Sequence, residues 1–239
     1  MSLSVAVVTS TRGRKLIREA AYSVDAQSYP AHHYVFAHGK DCWDAVEEST
    51  DGLPVTVVNL PIANGKNGYG MAPVFAAAPY LVEEDVIFYL DDDNWYEPGH
   101  IEELVKMIEE HDLGWAYSLR RIVDAEGNFI CDDNCESLGM HPNSHDQFLV
   151  DNSCYAVRAD VARQHSHAWY VPVVSDRSFM RALCQAKIAC GTTGKHSVNY
   201  RLSADGTGGM TKEKFLANNE YMRNNLPDFA WLQKSIFKY

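Results

Sequence analysis

The chain has 239 residues, 46% of them hydrophobic and 22% charged, enough to bury the core of one sizeable α/β domain without a disulfide or metal staple. Its 32 acidic against 21 basic residues give a formal net charge of −11, which argues against nonspecific nucleic-acid binding. A small anionic ligand stays compatible with that balance wherever a divalent cation reverses the sign locally.

The opening MSLSVAVVTSTRGR has a short apolar run with no basic segment before it and reads as a first β-strand, not a leader peptide. No stretch approaches the ~20 apolar residues of a membrane-spanning helix. Six cysteines (Cys42, Cys131, Cys135, Cys154, Cys184 and Cys190) lie scattered through a chain that needs no bridges. Reduced thiols in a cytoplasmic protein are the expectation.

In chain order, 3–8 is an apolar, β-branched strand, and 14–26 has helical spacing at Ile17, Ala20, Ala21 and Val24. Residues 34–37 and Val55–Leu60 are two further short strands. Pro73 suits the first turn of a helix over 74–81. A buried strand over 86–90 runs into Asp91, Asp92 and Asp93, and a helix follows with Pro98 near its start and Ile101, Leu104, Val105 and Ile108 on one face. Strands alternating with helices imply a mostly parallel sheet with right-handed crossovers and a ligand site at the carboxyl ends of its strands. Beyond the helix, Trp115–Val123 and 128–131 form a hairpin around Asp124-Ala-Glu-Gly127. Residues 148–158 read as a strand, 176–189 as a helix, 203–209 as a flexible Gly-rich segment and 211–225 as a polar helix.

The triplet carries the strongest chemical signal. Carboxylates crowded at a strand end repel one another unless a cation joins them, and hard oxygen ligands favour Mg²⁺ or Mn²⁺ completed by substrate phosphates. On extended backbone, Asp91 and Asp93 share a face while Asp92 points elsewhere. The bland alternative is an acidic loop at the N-terminus of the following helix.

VAVVTSTRGR, VIFYLDDDNWYEPGHIEELVKMI and the segment from Val173 to Phe179 together resemble the inverting GT-A glycosyltransferases of family 2, the SpsA-like enzymes. The resemblance spans roughly residues 3–200. It implies one GT-A domain over 1–239, with a nucleotide-binding half to 93, an acceptor-binding half over 94–200, and a lid and helical tail over 201–239. It further implies a nucleotide-diphosphate sugar donor, UDP-linked by family habit, and a hydroxyl acceptor of unknown identity. Thr9, Thr11, Arg12, His38, Lys66, Asp91 and Asp92 would bind the nucleotide sugar. Asp93 and Asp91, with His196, would hold Mn²⁺ or Mg²⁺, and Asp176 would be the general base. Read by itself, Asp176 also suits the cap of a helix beginning near Arg177, a role compatible with that of a base.

Two positions depart from the family pattern: His38 stands where an acidic residue usually contacts the base, and 67–73 lacks the usual Arg, leaving Lys66 for the phosphates. Cys131, Cys135, His141 and His145 are zinc-competent, but their spacing differs from that of structural zinc sites, and no zinc is expected. Two rival readings are a sugar-nucleotide-binding module without turnover and a nucleotidyltransferase. The latter calls for a richer Gly, Arg and Lys loop than TSTRGR.

Overall fold

The computed structural model describes residues 2–134, 149–203, 211–225 and 233–238. Strand β1 (Val5–Thr11) is buried at every position because it lies inside the sheet with neighbours on both sides, hence its unbroken apolar run. Helix α1 (Ile17–Asp25) turns Ile17, Ala20, Ala21 and Val24 to the core, the face read from the sequence. Strand β2 (His32–His38), helix α2 (Trp43–Thr50) and strand β3 (Val55–Leu60) follow. Helix α2 escapes sequence reading because its eight residues bury only Val46, Ser49 and Thr50.

Helix α3 (Ala72–Ala77) has Pro73 in its first turn and tightens into a 3₁₀ turn over Ala78–Tyr80. Then come β4 (Val86–Tyr89), the short β5 (Trp95–Tyr96) and α4 (His100–His111), which buries Ile101, Leu104, Val105 and Ile108 as expected. The expected hairpin is present: β6 (Trp115–Val123) pairs antiparallel with β7 (Phe129–Asp132), with Arg121 opposite Asp132.

The predicted strand over 148–158 shortens to β8 (Tyr155–Arg158), preceded by a 3₁₀ turn over Asn152–Cys154 that Asp151 caps by accepting from the Ser153 N–H. Helix α5 (Ala159–His165) leads to α6 (Ser175–Gln185), which starts one residue earlier and ends four earlier than expected. Lys187, with φ of 55°, turns the chain out of that helix and into β9 (Cys190–Arg201). Strand β9 has no clear apolar signature of its own and is held by parallel pairing along β6. Helix α7 (Lys212–Asn225) and β10 (Ser235–Phe237) complete the described chain.

The strands form one sheet in the order β10-β9-β6-β8-β4-β1-β2-β3. Strands β3, β2, β1 and β4 run parallel, β8 is antiparallel to both β4 and β6, and β9 runs parallel to β6. The two halves therefore share a single sheet, stitched at β8.

An aromatic cluster sets the geometry of the second half. Trp169 stacks on Phe179 of α6 with ring centroids 4.4 Å apart, and meets Tyr89 of β4 at 5.1 Å and Phe75 of α3 at 5.4 Å. Tyr155 closes the cluster edge-on to Phe179. Such pairs add directional preference to burial, so the first turn of α6 is held against the strand that leads to the triplet.

Candidate functional site

A cleft of about 570 Å³ opens at the carboxyl ends of β1, β2 and β3. Ser10, Thr11, Arg12 and Arg14 line one wall, His38 and Asp41 the floor, and Ala63, Gly65, Lys66 and Met71 the other, with Asp92 at one end. Gly13 makes the first wall. Its φ is 86°, and a Cβ there would sit 2.6 Å from Ala45 Cβ, so only glycine lets this turn pack on α2. Arg12 spans the floor, donating to the His38 carbonyl at 2.7 Å and pairing with Asp41. The guanidinium holds Asp41 below the ordinary carboxylate range.

Asp91, Asp92 and Asp93 do not continue the strand. The Asn94 N–H donates back to the Asp91 carbonyl at 3.2 Å, so the triplet is a turn and the alternation of an extended backbone does not apply. The expected division, Asp91 with Asp93 on one face and Asp92 on the other, is corrected accordingly. Arg14 lies 2.5 Å from Asp93 and 3.5 Å from Asp92, while Asp91 turns away to accept from Asn152 Nδ2 at 2.7 Å. Asp92 also accepts from the Thr11 hydroxyl at 2.5 Å, tying the triplet to the cleft. Burial raises all three carboxyls: Asp91 well above its usual range, with the charges of Asp151 and Asp93 adding to the effect, Asp92 to about 6, and Asp93 upward against the pull of Arg14.

That pattern bears on the cation. Among the described residues, no three Asp, Glu, His or Cys side chains converge to hold a metal by themselves. Desolvated carboxylates crowded into one turn do suit a hard divalent cation that takes one or two protein oxygens and completes its shell with phosphates. The donor set fits that kind of site.

Asp176 lies in the first turn of α6, not at its cap. The helix begins at Ser175, the capping position is Val174 with no side-chain bond, and Asp176 Oδ1 accepts from the Arg177 N–H at 2.7 Å. Burial and the nearby Asp151 charge push its carboxyl to about 6. Asp151 is the hub here, raising both Asp176 and Asp91. It is balanced by Arg120, which is buried, pairs with Asp151 and donates from Nε to Asp133 at 2.8 Å. The Arg120 guanidinium stacks 4.2 Å over Tyr200 and 5.5 Å from Phe215.

The structure thus brings Thr11, Arg12, His38, Lys66 and Asp92 to one cleft, with Asp91 and Asp93 in the turn beside it. Two expected residues lie elsewhere. Thr9 is fully buried, its hydroxyl 2.9 Å from Nε2 of the buried His33 within the sheet. His196 lines a separate cleft of about 350 Å³ with Glu97, Arg121, Asp132 and Lys195. On the same strand, Arg201 Nε donates to the Asp93 carbonyl at 3.2 Å. His196 is five residues back, about 16 Å along an extended strand, too far to share a cation with Asp93. Cys135, His141 and His145 of the zinc-competent set and residues 204–209 of the Gly-rich segment lie outside the described residues.

Sequence reasoning missed Arg14, Arg120, Asp151, Asn152 and Arg201. Arg14 had a local signal, as a second arginine in the loop after β1. The others are joined to the site only through long-range pairing. Among the described residues, no helix is long and apolar enough to cross a membrane, and Cys42, Cys131, Cys154, Cys184 and Cys190 are in no disulfide.

The fold is shared with solved structures. Three solved structures of S. aureus TarS superpose on the chain. TarS 1–349 with UDP-GlcNAc gives a TM-score of 0.61 at 16% identity, covering 83% of this chain and 58% of that one. TarS 1–349 alone gives 0.61 at 14%, covering 95% and 74%, and its complex with UDP gives 0.60 at 15%, covering 93% and 74%. An uncharacterized protein of Haemophilus influenzae is 38% identical over 52 residues, which are 22% of this chain and 35% of that protein. The α/β sheet with its flanking helices is the GT-A fold expected from the sequence. The family model for glycosyl transferase family 2 matches residues 4–149, more than half of the chain, a stretch that includes the cleft and the Asp triplet. The chain therefore belongs to glycosyl transferase family 2.

Proposed function

We propose that this protein transfers a sugar from a nucleotide-diphosphate donor, a UDP-sugar, to a hydroxyl acceptor, with inversion at the anomeric carbon. One observation carries the reading: the cleft at the ends of β1–β3 meets a desolvated carboxylate turn at Asp92, and a further carboxylate, Asp176, stands beyond it on α6. The TarS complexes with UDP-GlcNAc and UDP support the donor class.

In this reading, residues 1–93 bind the nucleotide and 94–200 present the base and the acceptor, with 201–239 as lid and tail. Thr11, Arg12 and Lys66 face the nucleotide, and Asp92 sits at the donor end of the same cleft. Asp93 and Asp91 are the carboxylates that would hold Mg²⁺ or Mn²⁺, with Arg14 already balancing part of the charge of Asp93. Bound there, the cation would offset charge on the departing diphosphate.

The acceptor oxygen attacks the anomeric carbon from the face opposite the diphosphate, and Asp176 takes its proton. A carboxylate poised near 6 is ionised at neutral pH yet more basic than a solvated one, which suits a general base. The triplet carboxylates are engaged with Arg14, Thr11 and Asn152 and do not serve that role.

Calorimetry with UDP in Mn²⁺ and in EDTA, followed by donor hydrolysis with Mn²⁺, tests the reading. Binding that needs the cation, together with turnover of a UDP-sugar, is the expected result. Equal binding in EDTA removes the cation from the proposal. Tight binding without turnover of donor, alone or with hydroxyl acceptors, leaves a sugar-nucleotide-binding module instead.

A further inference from the structure

The chain enters α6 through a strained turn. The Val174 N–H donates back to the Pro172 carbonyl at 2.8 Å, with Val173 between them at φ of 68°. A hydrogen bond closed across one residue at positive φ is the rare kind of γ-turn, and a β-branched residue at its centre adds to the cost. Burial does not offset that cost, since Val173 is 82% exposed. A bond from another segment holds the turn instead: the Val173 N–H donates to the Gly68 carbonyl at 2.8 Å. Beside it, Tyr69 and Tyr170 meet with ring centroids 4.9 Å apart. Strain of this kind persists only where the surroundings impose it, and it gathers at functional sites.

Both sides of this clasp belong to the site. Gly68 and Tyr69 lie in the loop over 65–71, whose Gly65, Lys66, Gly70 and Met71 line the cleft. That loop is closed on itself. The Gly70 N–H donates to the Gly65 carbonyl at 2.9 Å, and a Cβ on Gly65 would stand 2.2 Å from the Gly70 oxygen. On the other side, the Val174 carbonyl accepts from the Ser178 N–H at 2.9 Å, which closes the helical turn that carries Asp176. Stacking of Phe179 on Trp169 anchors α6 by one ring, and the γ-turn fixes where the helix begins.

We infer that the clasp, the Gly68 carbonyl on the Val173 amide with Tyr69 against Tyr170, positions Asp176 relative to the donor cleft, so that Val173 and Tyr170 are positioning residues of the transfer reaction. The inference rests on the reading of Asp176 as the base and adds what sets its place. A wall of the cleft and the turn before the base are then one mechanical piece, and a donor seated against that wall meets Asp176 at a fixed separation. Neither residue needs to touch the donor for its loss to slow transfer.

The experiment uses the full chain, with calorimetry for UDP in Mn²⁺ and steady-state turnover of a UDP-sugar in Mn²⁺. Tyr170→Ala removes the ring contact, and Val173→Pro removes the amide and forbids a positive φ. Each should keep the UDP affinity of the natural protein while turnover falls about 10–100-fold, the scale of a misplaced reacting group. Tyr170→Phe restores the ring, and Val173→Gly restores both the amide and the φ, so each should recover the natural rate. In an Asp176→Asn background, neither Tyr170→Ala nor Val173→Pro should cost anything further, because groups that act as a unit are not additive. Four results overturn the inference while leaving the nucleotide site standing: a full rate in either disrupting variant, a loss in Tyr170→Phe equal to that in Tyr170→Ala, a further loss in the Asp176→Asn background, or UDP affinity falling in step with turnover. A full rate in Asp176→Asn alone, or no turnover by the natural protein, overturns the base reading and the inference with it. Should Val173→Pro not fold, Tyr170→Ala and Tyr170→Phe decide.

Discussion

The two ends of the sheet solve different problems. Around β1, β2 and β3, strands run parallel with helices between them, and the site is made of what lies just past the strand ends: Thr11, Arg12, His38 and Asp92. Around β6, β8 and β9, strand directions mix, and the site is propped from beneath by the buried Arg120, which holds Asp151 and Asp133 from separate parts of the chain. The first arrangement follows from local sequence, because each functional side chain sits within a few residues of the strand that positions it. The second depends on charges that meet only after folding. A cleft for the donor is thus built by connectivity, and the platform for Asp176 by buried electrostatics and aromatic packing.

The largest expected effect lies on that platform. Asp176→Asn should leave UDP binding intact and lower transfer about 10²–10⁴-fold in a steady-state assay with an accepted hydroxyl acceptor. The pH profile of the natural protein should rise through about 6 as Asp176 loses its proton, and this limb should vanish in the variant. Stability should move the other way. The folded carboxyl titrates near 6, above the unfolded value of 3.8, so it contributes stability below about 3.8 that is lost as pH rises to 6. At pH 8, Asp176→Asn should therefore unfold at higher urea, by about 1–3 kcal/mol. A nearly full transfer rate in the variant would falsify the base assignment.

Next in size is Arg120→Ala, which strands two buried carboxylates and should cost about 3–5 kcal/mol by urea unfolding. If the two regions differ as described, no single ion-pair variant at the donor cleft should approach that. Arg12→Ala breaks an exposed pair with Asp41, and its effect on urea unfolding should be small beside that of Arg120→Ala. Equal losses at Arg12 and Arg120 would erase the distinction.

Asp92→Ala sharpens the comparison from the donor side. Because Asp92 is shared by Thr11 and Arg14, the variant should weaken UDP binding in Mn²⁺ by roughly tenfold, read by calorimetry, and not be silent as an outward-pointing side chain would be. The smallest effect is expected at Val173, 82% exposed and held at φ of 68° by its N–H bond to the Gly68 carbonyl. A β-branched residue in that region is strained, so Val173→Gly should raise stability by about 0.5–1 kcal/mol on a thermal melt. A lower melting temperature would show that the Val173 side chain, against Gly68, is a needed contact.

Much of the fold was legible without coordinates, for reasons that particular elements make plain. Helix α4 was readable because its four apolar positions repeat at the helical period, and the hairpin of β6 and β7 because Asp124 to Gly127 is a turn between strand-forming runs. Helix α2 and strand β9 were not, since the first is short with little apolar surface and the second takes its shape from pairing with β6. Within the site, Thr11, Arg12 and Asp92 could be named because they follow strand ends, where parallel sheets open toward ligands, whereas His38 and Lys66 were named only by the resemblance to the family. Thr9 and His196 were misplaced for lack of the third dimension. One residue's shift along β1 decides whether a hydroxyl meets the cleft or His33, and a strand's length separates His196 from the triplet.

The sequence by itself determined the α/β class of fold, the alternation of strands and helices in the parallel half and a cluster of carboxylates at the end of a buried strand, where a parallel sheet opens toward ligands. All of these follow from periodicities and neighbours within about ten residues. Only the tertiary structure decided which way each aspartate of the triplet faces, that Arg14 joins two of them, and that Arg120 holds Asp151 beneath Asp176. It also decided that the Asn64 N–H donates to Nε2 of His38. These depend on turns and side-chain pairs between distant segments, where burial sets which charges and hydrogen bonds must be satisfied, and no local pattern records that outcome.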